Sequence, residues 1–136
     1  MTDTQRQQLI AAAIDVRSRA YAPYSKFPVG AALLGETGQI FTGCNVENAS
    51  FGLTICAERA AVLAAVSSGC RKFAGLALAT AGAHAPCGAC RQVLSEFADD
   101  LPIILLDPSD AARVTKVRLA ELLPKRFVLP SHASGG

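Results

Sequence analysis

Two short runs hold the residues best able to do chemistry: Cys56-Ala57-Glu58-Arg59 and Pro86-Cys87-Gly88-Ala89-Cys90. Thiolates grip soft metals, and a carboxylate beside them can move protons. Taken alone, a Cys-x-x-Cys pair has three readings: zinc ligands, a redox couple, or small buried apolar residues. A redox couple belongs near the start of a thioredoxin-like unit rather than behind two strands and a helix. The third cysteine moves the balance toward metal. Catalytic zinc takes three protein ligands and keeps a position for water, whereas structural zinc is closed by four. His84, in a loop ahead of Pro86, and His132, near the C-terminus, are the histidines available as a fourth ligand, and loop histidines are usually just solvated. The expectation is one zinc per chain on Cys56, Cys87 and Cys90.

Both runs open helices, whose N-termini carry positive dipole ends that lower thiol pKa values. Cys87, Cys90, Leu94 and Phe97 fall on one helical stripe, so both thiols are expected to face inward. Glu58 follows Cys56 by two residues, a spacing that in mid-helix separates the side chains. The two can cooperate only if Cys56 lies where the chain is still entering the helix; otherwise Glu58 merely suits the dipole. In the cooperating arrangement, Glu58 takes a proton from a zinc-held water and later returns it. Three thiolates over-neutralise Zn²⁺. Arg59 either offsets that charge by donating to sulfur or is an ordinary surface residue.

The elements that must position these groups follow from periodicity. Leu9, Ala13, Val16 and Ala20 predict an amphipathic helix over 4–20, which Pro23 and Pro28 forbid from continuing. Apolar runs at 27–34 and 39–44 flank Gly35-Glu36-Thr37-Gly38 and read as an antiparallel hairpin. A helix over 55–68 is apolar all round beyond Arg59, so its far side calls for a neighbouring subunit. Strands are predicted at 73–80 and 102–107, the second suited to a parallel strand covered on both faces, with a helix over 87–98 between them. A short strand at 114–117 and a helical turn at 119–123 follow. This alternation implies right-handed crossovers and a mixed sheet, an α/β sandwich. With no repeat and no linker, residues 1–130 read as one domain and 131–136 as a disordered tail.

Composition narrows the function. The chain is 51% hydrophobic and 18% charged, which favours self-association in a protein of 136 residues. A formal charge of +2 without a basic run speaks against a phosphate-driven nucleic-acid binder. There is no tryptophan and only 6% aromatic residues, against a stacking surface for bases. No apolar stretch reaches membrane-spanning length, and polar residues 2–8 do not open a signal peptide. The expectation is a cytoplasmic protein with reduced thiols; five cysteines cannot all pair within one chain.

The two cysteine runs match the general pattern of zinc-dependent deaminases, in which a glutamate near one ligand serves as acid and base. Joined by Ala22-Pro23-Tyr24-Ser25-Lys26-Phe27-Pro28-Val29-Gly30, Gly43-Cys44-Asn45-Val46-Glu47-Asn48-Ala49-Ser50 and Arg91-Gln92, the sequence resembles the small homotetrameric cytidine deaminases from about residue 5 to residue 127. The resemblance implies a three-layer α/β/α sandwich with a five-stranded mixed sheet, and hydrolysis of cytidine and 2′-deoxycytidine with release of ammonia. It implies that Glu58 is catalytic, that Asn45 and Glu47 bond ribose hydroxyls, that Phe27 stacks on the pyrimidine, that the peptide around Ala57 reads the base edge, and that Phe127 reaches a neighbouring subunit's site. Asn45 and Glu47, two apart at a strand end, can point to one face. Without the resemblance they would read as a polar turn, and Phe27 as core. Phe51 stands where that family commonly has tyrosine, which touches substrate preference rather than the reaction. Cys44 and Cys70 read as packing. Two other functions remain open: deamination of an aminoacyl-cytosine nucleoside antibiotic, and a structural zinc module that binds nucleic acid.

Overall fold

Thr2 starts the first helix, α1 (Asp3–Arg17): its hydroxyl accepts from the Gln5 amide while the Gln5 side chain accepts from the Thr2 amide, a reciprocal capping box. Leu9, Ala13 and Val16 form its buried stripe. The helix ends three residues short of the predicted Ala20, because Ser18 caps it through hydrogen bonds to the Asp15 carbonyl. These features belong to a computed structural model that describes residues 1–130; the tail predicted at 131–136 and His132 lie outside the described residues.

Strands β1 (Gly30–Gly35) and β2 (Ile40–Cys44) form the predicted hairpin, with Gly38 at φ +93° in the turn. The first strand begins three residues later than the apolar run. Pro28 has no amide hydrogen, and the Asn45 side chain engages the Phe27 carbonyl and Val29 amide that a ladder would use. Helix α2 (Ala57–Ser67) starts two residues after its predicted start, since Ile55 is still bridged to Val46. It closes in a Schellman motif: Gly69, at φ +90°, and Cys70 donate to Val66 and Ala65 carbonyls. Then follow β3 (Phe73–Ala79), α3 (Gly88–Phe97), β4 (Pro102–Leu106), β5 (Val114–Arg118) and α4 (Leu119–Leu122).

The sheet order is β2-β1-β3-β4-β5, mixed, with β3 and β4 parallel and the other neighbours antiparallel. As predicted, β4 is covered on both faces. Ile104 and Leu106 join Leu9, Ala13, Ala32 and Ala77 on the α1 side. Ile103 and Leu105 join Ala61, Val62, Leu94 and Leu119 on the side of α2, α3 and α4. The result is the three-layer α/β/α arrangement. The far side of α2 is open in the single chain, where Leu63 is 57% exposed.

Candidate active site and metal centre

The crossover from β3 through α3 to β4 brings the N-terminus of α3 beside that of α2. Cys56 is the N-cap of α2, extended at φ −71° and ψ 151°; Cys87 is the N-cap of α3, extended at φ −66° and ψ 166°. Neither makes the side-chain hydrogen bond that N-cap serine or aspartate supplies. Their sulfurs turn toward each other instead, 3.9 Å apart, and with Cys90 all three lie within 4.8 Å of one another. A zinc–sulfur bond of about 2.3 Å in tetrahedral geometry requires sulfurs about 3.8 Å apart. The donor set and its spacing therefore fit zinc. The inward stripe holds only in part: Cys90 and Leu94 are buried, but Cys87 is exposed because it sits ahead of the helix proper.

The cluster carries its own charge balance. A hydrogen bond from the Cys90 thiol, and then Arg59, bring the Cys56 thiol down from its ordinary value to about 5, against the effect of burial. Cys90, as the donor to Cys56, is pushed up. Arg59 is half-buried, not a surface residue. It donates to Cys56 Sγ at 3.5 Å and to the Thr54 carbonyl at 3.1 Å, while its Nε is buried without an acceptor. Cys44 and Cys70 lie outside the cluster; Cys70 donates to the Lys72 carbonyl at 3.4 Å.

Glu58 is 5% exposed, in the first turn of α2. Burial raises its carboxyl above the ordinary range, and the charge of Cys56 adds to that. With Cys56 at the cap rather than inside the helix, the two side chains line one cavity despite their spacing. That cavity holds about 200 Å³ and is walled by Phe27, Val29, Asn45, Thr54, Cys56, Ala57, Glu58, Leu78, Thr80, His84, Ala85 and Cys87. Drug-sized pockets hold roughly 300–1,000 Å³, so this one suits a single small heterocycle.

Six of the expected site residues thus share the cavity: Phe27, Asn45, Cys56, Ala57, Glu58 and Cys87. Asn45 is buried and committed to its own chain, accepting from the Val29 amide at 2.8 Å and donating to the Phe27 carbonyl at 2.9 Å. Glu47 does not line the cavity. It turns to the same segment, accepting from the Tyr24 and Ser25 amides and the Ser25 hydroxyl, and that hydroxyl holds its carboxyl below the ordinary range. Phe127 is 68% exposed and away from the cavity, its carbonyl bound by Gln92. Phe51 is exposed too, its ring edge-on to Tyr24.

Thr80 and Arg91 escape the sequence reading, and His84 enters in a role other than the fourth ligand weighed for it. His84 is not in the sulfur cluster; its ring meets Phe27 edge-on at 5.8 Å, and its amide is tied to the Thr80 hydroxyl at 2.8 Å. Nothing in residue type marks Thr80 as part of the site. In the sequence Arg91 stands out only as part of the Arg91-Gln92 pair that extends the second cysteine run. It donates to the Pro86 carbonyl at 2.8 Å and the Leu122 carbonyl at 3.0 Å, fastening the Cys87 loop to the end of α4.

Known proteins share the fold and much of the sequence. The family described as "Cytidine and deoxycytidylate deaminase zinc-binding region" matches residues 3–105. A cytidine deaminase of Sporosarcina psychrophila is 49% identical, over 89% of this chain and 90% of its own length. One from Mycobacterium tuberculosis is 44% identical, over 95% of this chain and 94% of its own. The crystal structure of cytidine deaminase from Burkholderia pseudomallei superposes with a TM-score of 0.84 at 45% identity, covering 93% of this chain and all of that one.

Proposed function

The chain belongs to the cytidine and deoxycytidylate deaminase family, and from that premise we propose that it hydrolyses cytidine and 2′-deoxycytidine to uridine and 2′-deoxyuridine, releasing ammonia. It is a zinc-dependent hydrolase of the cytidine deaminase kind. One observation supports this most: three sulfurs lie at zinc spacing, and two of them, on Cys56 and Cys87, share a cavity wall with a buried carboxylate.

Zinc on Cys56, Cys87 and Cys90 would acidify and orient the attacking water. Glu58 takes a proton from that water and delivers it to N3 of the pyrimidine as oxygen bonds to C4. It then takes the remaining hydroxyl proton and passes it to the amino group, which leaves as ammonia while C4 becomes a carbonyl. Burial suits Glu58 to both halves, since a carboxyl lifted from its ordinary range holds a proton more readily. Phe27 and His84 offer ring surfaces to the base, and the Ala57 peptide lies on the same wall. Arg59 spreads positive charge onto the thiolates.

Asn45 and Glu47 are assigned to the ribose. Their present bonds to residues 24–29 leave an amide hydrogen on Asn45 and lone pairs on both free for sugar hydroxyls. An unmodified ribose paired to these two favours the plain nucleoside over an aminoacyl-cytosine antibiotic. The working form is proposed to be a homotetramer, with Phe127 reaching a neighbour's site; the open far side of α2 and the exposed Phe51, Leu53 and Phe127 support it. Among the described residues no helix is long and apolar enough to cross a membrane, and the need for reduced thiols favours the cytoplasm.

Purified protein should lose cytidine absorbance in the ultraviolet while carrying close to one zinc per chain. A metal-free folded protein, or one inert toward cytidine and deoxycytidine, removes the reading.

A further inference from the structure

Helix α2 lies directly on β2, and at Gly43 the two backbones leave no room for a side chain. A Cβ built on Gly43 would stand 2.5 Å from the Ala57 carbonyl oxygen and 2.8 Å from the Ala60 Cβ, and would also collide with the Ala61 amide nitrogen. All three belong to the first two turns of α2, and two of them are backbone, so no rotamer change can relieve the collision. Gly43 has no positive φ. Its lack of a side chain is therefore not demanded by its own conformation; the helix demands it.

What the helix carries at that end gives the contact its meaning. The Ala57 carbonyl lies between Cys56 and Glu58 in the chain, and Ala57 itself is fully buried on the cavity wall. The contact at Gly43 thus fixes how deep the start of α2 sits. That depth sets the sulfur of Cys56 against those of Cys87 and Cys90, which are held by a different helix. It also sets the carboxylate of Glu58 against the cavity.

We propose that Gly43 is a positioning residue for this reaction: by letting the α2 backbone rest on β2, it registers Cys56 and Glu58 with the cysteines of α3. The proposal rests on the assignment of those residues as metal ligands and proton carrier.

The test compares Gly43→Ala with Leu9→Ala, a cavity-forming change on the α1 face, at equal loss of denaturation midpoint. Zinc affinity is read by competition with a chromophoric chelator, and ligand geometry by the visible bands of the cobalt-substituted proteins. Gly43→Ala should weaken zinc binding about 10–100-fold, as loss of ligand support does, and shift the cobalt bands. Its kcat should fall about 100-fold, the scale of a 1 Å misplacement. Leu9→Ala should match wild type in bands, affinity and kcat per folded molecule. The proposal falls if Gly43→Ala keeps wild-type bands and affinity, or if Leu9→Ala reproduces its losses. Should Gly43→Ala not fold, Ala60→Val, which thickens the same contact from the helix side, decides: altered cobalt bands with weaker zinc support the proposal, and wild-type bands and affinity overturn it. Failure of the underlying assignment would look different, because wild type itself would then bind no zinc or Glu58→Gln would keep full turnover.

Discussion

The helices on the two sides of the sheet begin in opposite ways. On one side, α1 opens with Thr2 and Gln5 satisfying each other's backbone amides, and a stripe of Leu9, Ala13 and Val16 sinks into the sheet. The start of that helix is closed by its own side chains. On the other side, α2 and α3 open with cysteines that cap nothing. Between them they gather three sulfurs, a buried carboxylate, and an arginine whose Nε has no acceptor. Helix starts left without side-chain caps are the source of the site. The amides that a serine or aspartate would have engaged instead lend their positive end to thiolates and to any anionic group that enters. One face of the sheet is built to be stable, and the other to hold unsatisfied groups until metal and substrate arrive.

The largest effect should come from breaking the sulfur trio. Cys87→Ala should lose zinc on gel filtration and lose turnover to background. It should also lose the stabilisation that comes from binding metal only when folded, about 3–4 kcal/mol at 100 to 1,000 times the dissociation constant. Chelator-treated wild type should unfold at the variant's lower temperature, and a variant that kept both metal and turnover would refute the ligand assignment. Next in size, Glu58→Gln should keep zinc and cut kcat by about 10²–10⁴. If kcat stays within tenfold of wild type, Glu58 is not the proton carrier. Together the two variants separate holding the metal from moving the proton.

The stable face was almost entirely legible in the sequence. The unbroken apolar run Ile103, Ile104, Leu105 and Leu106 is enough to predict a strand covered on both sides, because a period of two sends neighbours to opposite faces and here both are apolar. The glycine-bounded turn at 35–38 was equally plain. Errors there were confined to ends, where side chains decide: Ser18 stops α1, and the Asn45 amide takes Phe27 and Val29 out of the ladder. The functional face was legible only where chemistry is rare. Thiols at helix starts, and a glutamate two residues after one of them, stand out by type. Thr80 and Leu78 do not, since they reach the cavity of Cys56 and Asn45 only through the pairing of β3 with β1. Glu47 and Phe127, assigned through the resemblance, stand outside the cavity of the single chain, and spacing had no means of saying so.

Two smaller predictions sharpen the contrast. Thr2→Ala removes the cap of α1 and should cost about 1 kcal/mol in denaturant unfolding. Its kcat per folded molecule and its zinc content should not change, because nothing on that face touches the cavity. A loss of turnover would mean the two faces are coupled after all.

The smallest effect tests a third kind of helix start. Helix α4 takes its cap from a distance: Asp100 accepts from the Ala120 amide at 3.0 Å and from Arg118 Nε at 2.6 Å, and also from its neighbour Leu101. The Ala120 amide, with Arg118 beside it, holds the Asp100 carboxyl below its ordinary 3.8. A lowered folded pKa means the contribution is fully present above the unfolded value and is lost as pH falls through the lower folded one. Wild type should therefore lose this part of its stability below about pH 4, whereas Asp100→Asn, with nothing to protonate, should show a shallower decline there. Near neutrality the variant should be less stable by under about 1 kcal/mol, since the pair is partly exposed and screened by salt. Equal acid slopes for the two proteins would show that Asp100 is a solvated surface group, and that α4 is capped by Glu121 alone, which accepts from the Arg118 amide at 3.1 Å.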